Sequence, residues 1–125
     1  MLADSKAFSG YSVDDLDKAE AFYGDTLGLA VDRAEEMQIL RIRFAGDRHA
    51  IVYAKPDHQP ATFTVLNFPV PDIDAVVDGL AARGIVFEHY DGFEQDEKGI
   101  ARGDGPAIAW CTDPAGNILS VLQEA

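Results

Sequence analysis

The 125-residue sequence lacks several features that would assign it to a class of protein. Its one cysteine, Cys111, excludes an internal disulfide and a cysteine-rich metal site. Ten basic residues against 22 acidic ones give a net charge of −12, which disfavours nucleic acid and anionic membranes as partners. No apolar run reaches membrane-spanning length, and no secretory leader precedes the first predicted strand. We therefore expect a cytoplasmic protein. Its acidic charge either favours cationic small molecules or forms a solvated surface that only aids solubility.

Two similar stretches, residues 13–31 and 70–87, organise the chain. Laid 57 positions apart, Val13 matches Val70 and Asp15 matches Asp72. In the second copy, apolar residues recur at i, i+3, i+4 and i+7, which predicts an amphipathic helix. Aspartates at the start of each helix suit the free amide groups and the helix dipole there. Gly28 and Gly84 then end the two helices, because glycine accepts the positive φ of a C-terminal cap.

The remaining patterns predict eight strands and two helices. The first module, about residues 5–56, has strands at 7–13, 29–36, 38–44 and 49–54 and a helix at 14–26. A proline-containing linker follows at residues 55–60. The second module, about residues 61–125, has strands at 61–70, 86–90, 106–111 and 118–123 and a helix at 72–82. The sequence thus predicts an α+β fold: one domain, residues 1–125, in which two tandem βαβββ modules form a curved, partly open eight-stranded sheet around a cleft.

Two motifs give the chain a specific resemblance. FYGDTLGL, at residues 22–29, ends the first predicted helix, and DPAGN, at residues 113–117, precedes the last strand. With the twofold βαβββ order, these motifs resemble the vicinal oxygen chelate superfamily of glyoxalases, bleomycin resistance proteins and extradiol dioxygenases. The resemblance covers essentially the whole chain. It implies the fold and leaves the function open, because one fold supports many chemistries.

Enzymes of that superfamily bind a divalent metal through side chains on the first and last strands of each module. The resemblance places these four positions at Phe8, Tyr53, Val65 and Ser120. Histidine, glutamate or glutamine would be expected there, and none is present. His49, His58 and His89 have no metal-ligand spacing, so we expect them to be exposed or singly hydrogen-bonded. The prediction is a member without the metal site, without a cofactor and without an assigned catalytic residue.

Residues that share a sheet face with these positions would line the cleft, because side chains two apart in a strand point the same way. The predicted lining is mostly apolar and aromatic, which is typical of a small-molecule pocket. Phe8, Tyr53, Phe63 and Trp110 would stack on a planar ligand or a cation. Tyr53, Asn67 and Ser120 would orient it by hydrogen bonds. The alternative is that these side chains only fill a core.

The predicted function is the capture of a small, mainly apolar or aromatic and possibly cationic ligand by a metal-free binding protein of the bleomycin-resistance type. The alternative is a lyase, isomerase or dioxygenase of the same superfamily, with or without a displaced metal. The acidic loop at residues 94–99 is either a lid or cation site or a solvated loop. The resemblance also implies a homodimer.

Overall fold

The computed structural model of the protein describes residues 1–124. The chain divides into two compact units, residues 1–59 and residues 60 onward. In the described part of the chain, no helix combines the length and the apolar character needed to cross a membrane.

The first unit contains a four-stranded sheet and one helix. Its strands are β1 (Ser9–Val13), β2 (Ala30–Ala34), β3 (Ile39–Phe44) and β4 (Arg48–Ala54). They lie in the order β1-β4-β3-β2, with β1 parallel to β4 and the other pairs antiparallel. Alternate strand residues such as Leu40, Ile42 and Val52 are buried with the helix, so the other face of the sheet is open.

The helix of the first unit changes form along its length. It begins as α1 (Leu16–Glu20) and continues as a π-helical segment (Ala21–Thr26). Asp15 is the N-cap, because its carboxylate accepts a hydrogen bond from the Lys18 amide at 3.1 Å. Gly28 follows the helix with a φ of 75°, as the sequence predicted. Tyr23 in the π-helical segment is fully buried and accepts a 2.7 Å hydrogen bond from the Tyr11 hydroxyl.

The second unit contains a three-stranded sheet and one helix. Its elements are β5 (Thr64–Pro69), α2 (Ile73–Ala82), β6 (Ala107–Thr112) and β7 (Ile118–Gln123). The strand order is β5-β7-β6, with β5 parallel to β7 and β6 antiparallel to β7. Asp72 caps α2 as Asp15 caps α1, and Gly84 has a φ of 95°. Ala109, Cys111, Leu119 and Val121 are buried on the helix side.

The predicted single eight-stranded sheet differs from the structure in two ways: within residues 1–124 one strand is missing, and the strands lie in two sheets. Residues 1–124 form seven strands in two sheets, and the expected strand at residues 86–90 is absent. Only one backbone bond joins this segment to β6, from the Glu88 amide to the Trp110 carbonyl at 2.8 Å. The side chain of Gln95 occupies the other groups: it accepts from the Tyr90 amide at 2.7 Å and donates to the Glu88 carbonyl at 2.9 Å. A side chain thus replaces the strand partner that a ladder would need.

The DPAGN turn joins β6 to β7 through a buried polar network. Asp113 is 3% exposed and its carboxylate accepts from the amides of Ala115 and Asn117, both at 2.9 Å, and from the Asn117 side chain at 3.1 Å. Asn117 in turn accepts from the Ala61 amide at 3.1 Å. Gly116 has a φ of 86°, and a Cβ there would lie 3.0 Å from Pro60. The motif therefore holds the entry to β5 beside the start of β7.

Candidate functional site

The open face of the second sheet carries a transverse row of three predicted site residues. Trp110 in β6 pairs with Ser120 in β7, and Ser120 pairs with Asn67 in β5. All three point away from the helix side, where Ala109, Leu119 and Val121 are buried. The strand alternation predicted this grouping, and the register brings the three side chains together.

Ser120 and Asn67 form a coupled pair within this row. Ser120 is fully buried, and its hydroxyl donates a 2.6 Å hydrogen bond to Asn67 Oδ1. Asn67 itself is exposed. Because Oδ1 is engaged by the serine, the Asn67 amide group presents its Nδ2 hydrogens outward as donors. The pair is suited to recognise a hydrogen-bond acceptor.

Two aromatic side chains flank Trp110. The ring of Tyr90 lies 5.5 Å away in an edge-on arrangement, and the ring of Phe93 lies 5.1 Å away in a tilted one. Phe93 is 56% exposed, and Trp110 is partly exposed. Burial, and then the negative charge of Glu88, raises the pKa of the Tyr90 hydroxyl, so it is neutral near pH 7. Neither flanking ring was among the predicted site residues, because both lie on a segment predicted as strand and loop. The sequence signal for them was a pair of aromatic residues three positions apart in a polar stretch.

Two further residues of the second unit that the sequence singled out are Phe63, which is exposed, and Cys111, which is buried. Phe63 lies one residue before β5 and is 67% exposed. Cys111 follows Trp110 in β6 and is buried, and this burial, followed by the charges of Asp113 and Glu88, raises the pKa of its thiol to about 11. The thiol is thus a protonated core group, as its apolar sequence context predicted.

Phe8 and Tyr53 lie on the open face of the first sheet. Phe8 immediately precedes β1, and its ring stacks on His49 of β4 with centroids 4.7 Å apart. Tyr53 pairs with Ser12, four residues further along β1, which is about 13 Å from the Phe8 level at the rise of a strand. Gly10 lies between them, and a Cβ on Gly10 would be 4.0 Å from the Tyr53 ring. Both aromatics are exposed, Phe8 by 59% and Tyr53 by 39%.

The three histidines each have a defined contact. His58, from the linker, shares a 2.6 Å hydrogen bond between its Nδ1 and the Ser12 hydroxyl on the open face. His49 stacks on Phe8, and His89 Nε2 lies 3.1 Å from the Asp96 carbonyl. The Ser12–His58 contact joins residues 46 positions apart, so no local motif indicated it.

The donor chemistry at the superfamily's four metal positions does not fit a divalent cation. Phe8 and Val65 carry no ligand atoms, and the Ser120 hydroxyl is buried on Asn67. Within residues 1–124, no three side chains of the His, Cys, Asp and Glu types are grouped so that they could hold a metal ion.

The acidic loop at residues 94–99 is fastened by its own charges. Asp96 accepts from the amides of Lys98 and Ile100, both at 2.9 Å. Lys98 pairs with Asp78 of α2 at 3.0 Å, and Arg102 pairs with Asp74 at 2.8 Å. These pairs lower the pKa of Asp74, mainly through Arg102, and raise the pKa of Lys98. One of the loop's acids thus has a structural role in positioning the segment that carries Phe93.

Comparisons with known proteins agree with this fold. The model of the glyoxalase/bleomycin resistance protein/dioxygenase superfamily matches residues 8–121. An antibiotic binding protein from a Streptomyces species is 23% identical, with a TM-score of 0.71 and all of each chain covered. A lactoylglutathione lyase from Agrobacterium tumefaciens is 24% identical, with a TM-score of 0.66 and coverage of 97% of this chain and 95% of the other.

A genomically encoded fosfomycin resistance protein from Listeria monocytogenes is 14% identical, with a TM-score of 0.70 and coverage of 95% of this chain and 92% of the other. At these identities the similar structures show the fold alone. A search of curated protein sequences finds no match. Because the family model spans most of its length, the chain belongs to the glyoxalase/bleomycin resistance protein/dioxygenase superfamily.

Proposed function

We propose that the chain is a metal-free small-molecule-binding protein that captures a mainly apolar or aromatic ligand. The observation that carries this proposal is the row on the second sheet, where partly exposed Trp110 lies beside the outward donors of Asn67. An aromatic surface with a few oriented polar groups is the usual composition of a small-molecule site. The antibiotic binding protein from Streptomyces, which shares the fold, supports the same class of function.

The residues have separate roles in this proposal. Trp110 stacks on a planar ring of the ligand, while Phe93 and Tyr90 hold the indole and extend the apolar surface. Asn67 donates to an acceptor on the ligand, and Ser120 positions that amide without touching the ligand. Phe63, Phe8 and Tyr53 add exposed aromatic surface within their own units. Capture needs no chemistry, so burial of ligand area supplies the affinity at about 25 cal/mol per Å² before the cost of association.

A neutral aromatic dye, phenylnaphthylamine, tests the proposal by titration against the wild type and Trp110→Ala. We expect the variant to bind between about fivefold and about 150-fold more weakly, since loss of one stacking partner costs about 1–3 kcal/mol. Met37→Ala, which truncates another exposed apolar side chain, is the matched control and should bind like the wild type. Equal affinity of Trp110→Ala and wild type would remove the row from the site. Elemental analysis of the purified protein tests the metal-free part: a stoichiometric metal would contradict it.

The Ser12–His58 contact favours one alternative, a metal-free lyase or isomerase. A hydroxyl within 2.6 Å of an imidazole can relay a proton from a bound substrate to the histidine. Lactoylglutathione, named for the Agrobacterium enzyme, is the substrate to assay with wild type and His58→Gln. Turnover that falls at least about a hundredfold in the variant would establish this alternative, whereas no turnover by wild type would reject it for that substrate.

We also propose that the protein is a cytoplasmic homodimer. Large apolar side chains outside the proposed binding surface, Met37 and Val86, are more than half exposed in the single chain, and a second copy would cover such surface. Native mass spectrometry gives the test, since a monomer mass at micromolar concentration would contradict the dimer.

A further inference from the structure

The open face of the first sheet carries basic groups that oppose the charge of the whole protein. The register of β2, β3 and β4 places Arg43 opposite His49, and places Arg41 opposite Ile51. Leu40 and Ile42 between them are fully buried on the helix side, so both arginines point to the open face. Two of the ten basic residues of a chain with net charge −12 therefore lie side by side on one strand.

One acidic residue, Asp32 of β2, adjoins both arginines and forms an ion pair with one of them. The register places Asp32 opposite Arg41, but its carboxylate pairs with Arg43 at 3.2 Å, and the Asp32 and Arg43 side chains are each 57% exposed. Arg41 is exposed, and within residues 1–124 no carboxylate lies in ion-pair contact with it. Its guanidinium therefore presents a fork of donors that fits a carboxylate, sulfonate or phosphonate.

An aromatic surface adjoins these charges. Opposite Arg43, in the neighbouring strand β4, His49 stacks on the ring of Phe8, which is 59% exposed. Gly10, two residues after Phe8 and opposite Ile51, has no side chain to cover the backbone of β1 there. Phe8 and the arginines lie two strand spacings apart, about 10 Å, which a two-ring ligand with an anionic substituent and an arginine side chain span together.

We infer that this face is a binding site for an aromatic anion, in which Arg41 contacts the anionic group and Phe8 contacts the ring. This inference goes beyond the proposed function, because it assigns a second site on the first sheet and a charge preference opposite to the one that the net charge suggested. Local charge on a binding surface, rather than the total, sets the preference at contact distance, since water and salt screen remote charges within about 8–10 Å.

Two dyes of the same aromatic shape test the inference: anilinonaphthalene sulfonate, which is anionic, and phenylnaphthylamine, which is neutral. Titrations compare wild type, Arg41→Gln and Arg48→Gln. Arg48→Gln is the matched control, because Arg48 is an exposed arginine in β4 on the opposite alternation from His49. We expect Arg41→Gln to weaken sulfonate binding about fivefold and the control to change it less than about twofold. Neutral dye binding should change less than about twofold in both variants, and Phe8→Ala should weaken sulfonate binding.

The same measurements in a Trp110→Ala background keep this site apart from the row on the second sheet. The fivefold effect of Arg41→Gln should persist in that background, whether or not Trp110 itself binds a ligand. Sulfonate affinity of the wild type should also fall with added salt while neutral dye affinity does not. Equal effects of the two arginine variants, or a parallel loss of neutral dye binding in Arg41→Gln, would overturn the inference.

Discussion

The two units are variations on one repeat, and their differences are as informative as their likeness. In each, the first strand is parallel to the last and the last is antiparallel to the one before it. The first unit adds β2 to the edge of this sheet, whereas the second has residues 86–105 in that place, without a ladder. The repeat thus specifies three strands and a helix, and the edge position tolerates either a strand or a pinned loop.

The open faces differ in chemistry as well. The first is basic and aromatic, with Arg41, Arg43 and the Phe8–His49 stack. The second is aromatic and neutral, with Trp110 and the Asn67–Ser120 pair. Both faces come from the same strand positions, so the two copies of the repeat carry open faces of different chemistry.

The turn before the last strand of each unit, β3 to β4 in the first and β6 to β7 in the second, should show the largest difference between the units in its contribution to stability. Asp113→Ala removes an acceptor from two buried amides and one side chain, so we expect a loss of about 3 kcal/mol in the free energy of unfolding. In the first unit the corresponding turn has exposed Asp47 at a φ of 60°, and Asp47→Asn keeps a residue that accepts this φ. That control should change stability by less than about 0.5 kcal/mol. Urea denaturation measures both, and similar losses would show that the buried network is not what distinguishes the turns.

Gly99 tests the packing of the loop that replaces a strand in the second unit. Its φ is 91°, and a Cβ there would lie 3.1 Å from the Phe87 Cβ, so Gly99→Ala has both backbone strain and a close contact. Gly92→Ala is matched in φ, at 90°, with nothing within 4 Å. We expect about 2–3 kcal/mol of destabilisation for Gly99→Ala and about 1 kcal/mol for Gly92→Ala in urea denaturation. If the two variants unfold together, Phe87 has room to move and the loop is loosely packed.

Gln95 should have the smallest and most local effect. Its amide bonds the Tyr90 amide and the carbonyls of Glu88 and Gly99, so Gln95→Ala frees all three groups. Hydrogen exchange at the Tyr90 amide should accelerate about tenfold, while the Ala109 amide within β6 stays protected. Gln95→Glu keeps the acceptor for Tyr90 but loses both donors, and an intermediate rate is expected. An unchanged Tyr90 rate in Gln95→Ala would mean that another group protects this segment.

The parts of the fold that depend on local chemistry could be predicted from the sequence. Asp15 and Asp72 cap their helices and Gly28 and Gly84 take positive φ, because these preferences belong to single residues and their neighbours. The missing strand could not be predicted, since its segment has strand-like composition and the competing partner is a side chain several residues away, on Gln95. The π-helical turn at residues 21–26 was likewise read as ordinary helix, because both place apolar residues on one side.

In the candidate site, too, the features set by strand alternation could be predicted, and those set by packing could not. Alternation placed Asn67, Ser120 and Trp110 on one face, and register then aligned them. That the Ser120 hydroxyl is engaged by Asn67 depends on packing that alternation does not describe. Arg41 and Arg43 carried a usable signal, because they alternate with Leu40 and Ile42, but the basic face became evident only from the register of three strands.

The only tryptophan and the only cysteine are consecutive residues of one strand, β6, in the second unit. Tryptophan emission and thiol labelling therefore report on that unit alone, while the first unit contributes to the amide circular dichroism without either probe. The thiol, with its pKa raised to about 11, reacts at neutral pH almost only after the second unit opens. Denaturation curves that coincide for emission and dichroism would show that the two halves unfold as one cooperative body. Separate curves would show that the duplicated halves kept their own stabilities.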